Sequence, residues 1–492
     1  MSTKLLNAIG SQQRAKRLFQ GIFGTDGIRA LAGEEPLTPE SVRRIGFSAG
    51  TVLARKFSAG KSAVPGAKKI VIGRDTRASG NWILDALGEG LWVSGCEVYS
   101  CGVIPTSAIS AILLKKKFMG GAVISASHNP AEFNGIKFFT ADGNKIQVSW
   151  EKEIESELIK NSQKFSSYQD RLTSKHDNGL KKSPLHEYKE GVETYTQFLK
   201  AALPRGASLR GVKLVIDCAN GAAAQIAPQL FRSLGAEVTP IFDHPDGSNI
   251  NLKCGALYPE SLRKAVLSAK ANGGFAFDGD ADRVQFVDEL GEVLDGDILL
   301  YLAAAHLKDK KQLDQNTVVT TVMANYGFFN HMKSLGINVI TTPVGDRAVS
   351  AALEKSKALL GGEQSGHIIF KNYLPTGDGL LTAIKILFAL KESGNSLAQV
   401  RKSFKKLPQI LVNLRVKQKI PLQNLPKFAE KIKNADKELK GKGRVLVRYS
   451  GTEPLLRIMA EGEPQELIQK VVNDLLSCGQ ECLEVLPLIN KK

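Results

Sequence analysis

Cysteine is scarce in this chain: six in 492 residues, at positions 96, 101, 218, 254, 478 and 482. No two stand in a Cys-x-x-Cys spacing. Cys478 and Cys482 share one face if their segment is helical, but no histidine pair lies nearby to complete a zinc site. Six reduced, mostly buried thiols exclude a disulfide-stapled scaffold and fit a cytoplasmic protein. Long apolar runs are missing as well. The most apolar stretches, such as Ile384–Leu390, are too short and too often broken by lysine to span a bilayer. The first twenty residues carry Arg14, Lys16 and Arg17 without the apolar core of a signal peptide. Acidic residues are in the minority, 49 against 66 lysines and arginines, for a net charge of +17. The basic residues are scattered in small groups, Lys115–Lys117 and Lys405–Lys406 among them, with no arginine-rich segment interleaved with aromatics. That pattern reads as a solvated basic surface or a positive cleft for an anionic substrate. Neither nucleic acid nor a membrane is expected as a partner.

What the chain does have is ordinary apolar material, 43% hydrophobic and 23% charged, enough for roughly three to four domains. One pattern recurs three times. Lys69-Ile-Val-Ile-Gly-Arg leads through a helix-like stretch to Ser94-Gly-Cys-Glu-Val98. Lys213-Leu-Val-Ile-Asp leads through Asn220-Gly-Ala-Ala to Leu234-Gly-Ala-Glu-Val238. Thr317-Val-Val-Thr-Thr leads through Asn325-Tyr-Gly to Leu335-Gly-Ile-Asn-Val339. Each is a buried strand, a turn, an amphipathic helix ended by glycine and a second strand, the signature of a β-α-β unit. Three such copies predict three similar α/β domains with mainly parallel mixed sheets. Asn161–Leu185 reads as a polar surface excursion, and a helix is expected from Ile298 after Asp295-Gly-Asp. Beyond Ser403 the alternation Ile410–Val416, a lysine-rich helix near Phe428–Leu439 and a strand at Arg444–Val447 predict a separate α+β domain. The expected divisions are 1–188, 189–297, 298–403 and 404–492.

Four segments carry candidate chemistry. In Gly121-Ala-Val-Ile-Ser-Ala-Ser127-His128-Asn129-Pro130 an apolar strand runs into a turn. Adjacent side chains project apart, so Ser127 and His128 do not pair by sequence proximity alone, and the segment also reads as an ordinary turn. In Phe277-Asp278-Gly-Asp280-Ala-Asp282-Arg283 three carboxylates at alternate positions would converge in an extended loop and call for a hard divalent cation. An EF-hand is excluded because its sixth position, which needs glycine, is Arg283, and the flanks read as strands. A solvated acidic turn is the bland alternative. Gly361-Gly-Glu363-Gln-Ser365-Gly-His367 gathers a carboxylate, a hydroxyl and an imidazole suited to a polyhydroxylated ligand. Arg448-Tyr-Ser450-Gly451-Thr452-Glu453-Pro454, with Arg457 after it, offers hydroxyls, backbone N–H groups and two guanidiniums for a phosphate. It also reads as a helix start, with Thr452 as N-cap and Pro454 in the first turn.

In order and wording these segments, together with Phe23-Gly-Thr-Asp-Gly-Ile-Arg29, resemble the α-D-phosphohexomutase superfamily, most closely its branch acting on glucosamine phosphate. The resemblance spans residues 23 to 457. It implies four domains around a central cleft, an isomerase activity and a phosphoserine carrier. It implies interconversion of glucosamine 6-phosphate and glucosamine 1-phosphate through a bisphosphorylated sugar, with glucose or mannose phosphate as the alternative substrates. A sugar-phosphate-binding protein without catalysis is a further alternative, but Ser127, the aspartates and Lys137 are all present. By resemblance Ser127 is the phosphorylated serine, joining Asp278, Asp280 and Asp282 around Mg²⁺. His128 and Lys137 transfer protons, while Arg29 and Arg283 neutralise the phosphoryl group. Thr25, Gly345, Asp346, Arg347, Glu363, Ser365 and His367 contact the sugar phosphate. Arg448, Ser450, Gly451, Thr452 and Arg457 hold the non-reacting phosphate. The expected partner is the hexose phosphate, and the expected assembly is a monomer or homodimer. Ala30 and Ala281 stand where the family more often has glycine, a harmless change provided neither backbone needs a positive φ.

Overall fold

The computed structural model describes residues 13, 15–59, 68–160, 185–450 and 454–486. The chain divides into two compact units, one made of Met1–Val322 with Ile340–Val400, the other of Met323–Val339 with Arg401–Lys492. Nearly all of Asn161–Leu185, read as a surface excursion, lies outside the described residues.

The first unit is built on three sheets. One comprises β1 (Phe23–Gly24), β2 (Gly27–Leu31), β3 (Lys69–Arg74), β4 (Glu97–Val103), β5 (Gly120–Ile124), β6 (Phe133–Thr140) and β7 (Leu185–Glu187), in the order β1-β2-β6-β5-β3-β4-β7. The second comprises β8 (Lys213–Asp217), β9 (Glu237–Ile241), β10 (Gly273–Phe277), β11 (Val284–Asp288) and β12 (Val293–Leu294), in the order β12-β11-β10-β8-β9. The third comprises β13 (Thr317–Thr321), β14 (Asn338–Thr342), β15 (Leu360–Gly362) and β16 (Ile368–Phe370), in the order β14-β13-β15-β16. The continuous apolar runs predicted this: β5, β10 and β13 are buried at every residue, as strands covered on both faces must be. Helices begin where short polar side chains can cap them. Asp295 accepts from Ile298 N at the start of Gly296–Asp309, and Asp378 accepts from Leu381 N at the start of Gly379–Ser393. The helices Pro39–Ala59 and Gly80–Val93 cross at glycines, where a β-carbon on Gly90 would lie 2.0 Å from the carbonyl of Arg43.

The three sheets share one device. In each, a strand paired in parallel with its neighbour turns back into an antiparallel one: β5 into β6, β10 into β11, β15 into β16. The serine, aspartate and glutamate segments each occupy that reversal, at the carboxyl end of the strand where α/β sheets gather ligands.

The second unit holds β17 (Gln409–Arg415), β18 (Gly443–Tyr449) and β19 (Leu455–Gly462) as an antiparallel sheet ordered β17-β19-β18. The helices Pro426–Glu438 and Gln465–Cys482 pack on it through Phe428, Ile468, Val472 and Leu475. The helix Tyr326–Ser334, read from the sequence as the middle of the third β-α-β repeat, belongs to this unit. Here the helix start read at Thr452 and Pro454 is corrected: the chain continues as strand β19, because Leu455–Gly462 buries an apolar face at strand period against β17 and β18. All six cysteines are free, with Cys478 and Cys482 on one helix as their spacing implied. Among the described residues no helix is long and apolar enough to cross a membrane.

Candidate active site

The loop after β5 holds Ser127 in the left-handed region, φ 54°, where a side chain is rarely found. The result corrects the expectation that Ser127 and His128 project apart, since this backbone brings Oγ and the His128 Nδ1 to 3.4 Å. The serine is fully buried, and its Oγ donates to Asp278 Oδ2 at 2.6 Å.

Asp278 lies in the loop between β10 and β11, with Asp280 and Asp282. The loop is a turn rather than an extended stretch, and Ala281 has φ 58°. The condition placed on Ala281 therefore fails: this position does ask for a positive φ, whereas Ala30 sits in ordinary β2 backbone opposite Asn134. The turn still converges the three buried carboxylates, with one oxygen of each within 4.8 Å of the others. Asp280 Oδ2 accepts from Thr106 Oγ1 at 2.7 Å and Lys137 Nζ at 2.9 Å, but Asp280 Oδ1 and Asp282 Oδ1 are buried with no hydrogen-bond partner. Burial, then Asp282 and Asp280, push the Asp278 carboxyl well above its usual range. Burial would also raise Asp282, but Lys137, His367 and Arg283 hold it well below the usual carboxylate value. Two oxygens without a hydrogen bond in a buried all-carboxylate set, one of them only 3.8 Å from Arg283 Nε, are costly as they stand and suit a hard divalent cation, so the donor set fits a metal.

Cations ring this acidic loop. Lys137 on β6 is buried, 2.9 Å from both Asp26 and Asp280; burial would lower it, but Asp26, Asp280 and Asp282 raise it above its usual value. Asp26 also takes Arg29 at 2.6 Å and Lys145 at 2.5 Å; burial would raise its carboxyl, but Lys137, then Lys145 and Arg29, hold it well below the usual value. Arg283 Nη1 stands 3.1 Å from His128 Nδ1. Burial, then Arg283 and Arg29, push His128 down to about 4, so its ring is neutral near pH 7. His367 is held by the backbone N–H of Gly377 on Nε2 at 3.2 Å and faces Asp282 at 3.6 Å.

The third sheet brings Glu363, whose Oε1 accepts from Gly345 N at 3.0 Å, and Ser365, whose Oγ is buried without a partner. Asp346 and Arg347 are engaged by protein: Asp346 pairs with Lys145, and Arg347 meets both oxygens of Glu151. Thr25 is exposed in the turn between β1 and β2. In the second unit, Arg448 and Arg457 face each other as cross-strand partners of β18 and β19, and burial followed by Arg457 lowers Arg448. Like charges directly opposite repel, and an anion relieves them. Ser450 N donates to Leu455 O at 2.8 Å. Gly451 and Thr452 lie outside the described residues.

Sequence reasoning missed Asp26, Thr106, Lys145, Glu151 and the pair Asp75–Arg77. Asp26 was visible inside the opening segment, and Asp75 and Arg77 follow the apolar strand β3 as alternating charges. The other three carry no local signal.

Comparison with known proteins matches four models of one family, described as Phosphoglucomutase/phosphomannomutase: alpha/beta/alpha domain I over 20–165, domain II over 193–291, domain III over 295–407 and the C-terminal domain over 411–477. The phosphoglucosamine mutase of Desulforamulus reducens is 44% identical over 454 residues, covering 92% of this chain and 98% of its own length. Among solved structures, a phosphoglucomutase/phosphomannomutase family protein from Burkholderia thailandensis superposes with a TM-score of 0.75 at 23% identity, covering 94% of this chain and 98% of that one. The N-acetylphosphoglucosamine mutase of Aspergillus fumigatus, solved with GlcNAc-6P and magnesium, gives 0.64 at 19% identity over 97% of this chain and 100% of that one, a likeness of fold.

Proposed function

The chain belongs to the phosphoglucomutase/phosphomannomutase family, and on that premise we propose that it interconverts glucosamine 6-phosphate and glucosamine 1-phosphate through a phosphoserine at Ser127. The observation that carries the mechanism is the 2.6 Å contact between Ser127 Oγ and Asp278, which joins a buried, left-handed serine to the aspartate triad. The substrate reading is supported by the name of the 44% identical relative. The domain divisions that go with this reading are 1–188, 189–297, 298–403 and 404–492.

Mg²⁺ held by Asp278, Asp280, Asp282 and an oxygen of the phosphorylated serine would neutralise charge on the phosphoryl group in transfer. The chain's own residues do the rest. Arg29 and Arg283 add positive charge where the phosphoryl passes. His128, neutral near pH 7, takes the proton of the sugar hydroxyl, and Lys137, held protonated by Asp26, Asp280 and Asp282, is placed to give one back. In the forward half-reaction the bond from phosphorus to Ser127 Oγ breaks, the bond from phosphorus to the sugar oxygen forms, the sugar proton moves to His128, and the freed Oγ takes a proton from Lys137 or from the His128 ring. The second half-reaction reverses that at the other sugar oxygen. Glu363, Ser365 and His367 orient the sugar hydroxyls, with Thr25, Gly345, Asp346 and Arg347 at the turns beside them. Arg448, Ser450, Gly451, Thr452 and Arg457 grip the non-reacting phosphate. The enzyme acts in the cytoplasm on a free hexose phosphate, as a monomer or homodimer.

The test is a coupled mutase assay with Mg²⁺ comparing glucosamine 6-phosphate, glucose 6-phosphate and mannose 6-phosphate by kcat/KM. The proposal expects the amino sugar to be turned over best. Preference for glucose or mannose phosphate overturns the substrate assignment, and turnover of none overturns the enzymatic one.

A further inference from the structure

Arg77 has no carbon or nitrogen exposed, and every one of its N–H groups is used. A guanidinium carries five donors in a fixed fork. Nε donates to Asp75 Oδ2 at 2.9 Å. Nη1 donates to the carbonyls of Pro130 and, at 2.9 Å, Phe133. Nη2 donates to the carbonyls of Ser127 at 2.9 Å and Asn129 at 2.8 Å. Four of the five acceptors are therefore backbone carbonyls of the single loop that carries Ser127.

The other side of Ser127 is tied to the same ion pair. Ser127 N donates to Ser125 Oγ at 2.8 Å, and Ser125 Oγ donates to Asp75 Oδ2 at 2.7 Å. From beyond β9, Asn251 Nδ2 reaches the carbonyls of Ser127 at 2.9 Å and Asn129 at 3.0 Å. Gly279 of the acidic turn closes over the same carbonyl, where a β-carbon would stand 2.7 Å from Ser127 O.

We infer that Arg77 is the positioning residue of the nucleophile: its fork gathers four loop carbonyls and, with Asp75 and Ser125, fixes Ser127 in the left-handed conformation that aims Oγ at Asp278. The inference rests on the reading of Ser127 as the phosphate carrier. A carrier serine alternates between two states, and the hydrogen bond from Oγ to Asp278 exists only while Oγ bears a proton. Once Oγ carries phosphate that restraint is gone. A clamp on backbone atoms is indifferent to what Oγ carries, so it holds the same geometry through both halves of the cycle. Misplacing a reacting atom by about 1 Å costs on the order of 100-fold in rate.

The test uses Arg77→Lys in the full chain, which keeps the charge but has too few donors and no fork to span four carbonyls. Steady-state kinetics on glucosamine 6-phosphate are paired with transfer of phosphate from glucose 1,6-bisphosphate to Ser127, followed by peptide mass. Expected is a fall in kcat on the order of 100-fold with KM nearly unchanged, and correspondingly slow labelling of Ser127. If Arg77→Lys does not fold, Ser125→Ala removes the acceptor of Ser127 N together with one donor to Asp75, and about a tenfold loss in kcat is expected, again with KM kept. Wild-type kcat in the folded variant, or a loss that falls on KM, overturns the role of Arg77. Wild-type enzyme that turns over substrate while Ser127 never takes phosphate overturns the carrier reading itself.

Discussion

The loops 125–133 and 278–283 meet where Ser127 Oγ donates to Asp278 and Arg283 faces His128, and each bends at a non-glycine residue in the left-handed region, Ser127 at φ 54° and Ala281 at φ 58°. There the likeness ends. Around Ser127 the backbone is saturated: its N–H and carbonyl both have buried partners, and a guanidinium spends all five donors on the loop and on Asp75. Around Ala281 two carboxylate oxygens accept no hydrogen bond. One loop is finished by the protein, and the other presents a carboxylate set suited to a hard cation. On the proposed reading the difference divides the labour of phosphoryl transfer: position comes from the backbone clamp, and charge neutralisation from a cation that the three carboxylates are suited to hold.

The sharpest way to break the comparison is at their shared contact. Ser127→Ala removes the atom through which the saturated loop acts, and activity in the coupled assay is expected to fall by at least about a thousandfold. The circular dichroism spectrum should not change, because the backbone clamp does not involve Oγ. Retained turnover would exclude Ser127 as the obligatory carrier. Breaking the open loop costs less. Asp280→Asn is expected to raise the Mg²⁺ concentration for half-maximal activity by about 10- to 100-fold, read from a metal titration after chelation. An unchanged requirement would move the metal elsewhere. The smallest effect sharpens the contrast between the two bends. Ala281→Gly relieves a left-handed alanine and is expected to stabilise the fold by no more than about 1 kcal/mol in urea titration. A clear loss would mean that the buried alanine methyl packs too well to give up.

Much of this was readable before any coordinates. The three β-α-β units were visible because apolar strands, glycine-ended helices and turn residues announce themselves over a few neighbouring positions. The turns that carry Ser127 and Asp278 were visible for the same reason, as apolar segments running abruptly into small and polar residues, while the Glu363 segment showed only glycines beside a polar cluster. The site residues that were missed act across the chain: Arg77 reaches Ser127 over 50 positions, and Thr106 reaches Asp280 over 174. Contacts that long have no period for a sequence to display. Pro454 shows the opposite failure, a local signal that misled. Thr-Glu-Pro resembles a helix start, but the alternation beyond it makes β19, and tertiary pairing with β17 and β18 decides.

The most direct test loads Ser127 with radiolabelled phosphate and mixes the phosphoenzyme with glucosamine 6-phosphate and Mg²⁺ in a single turnover. The account predicts that label leaves the Ser127 peptide at least as fast as kcat and appears in the sugar phosphate. Label that stays on Ser127 while substrate turns over would contradict it.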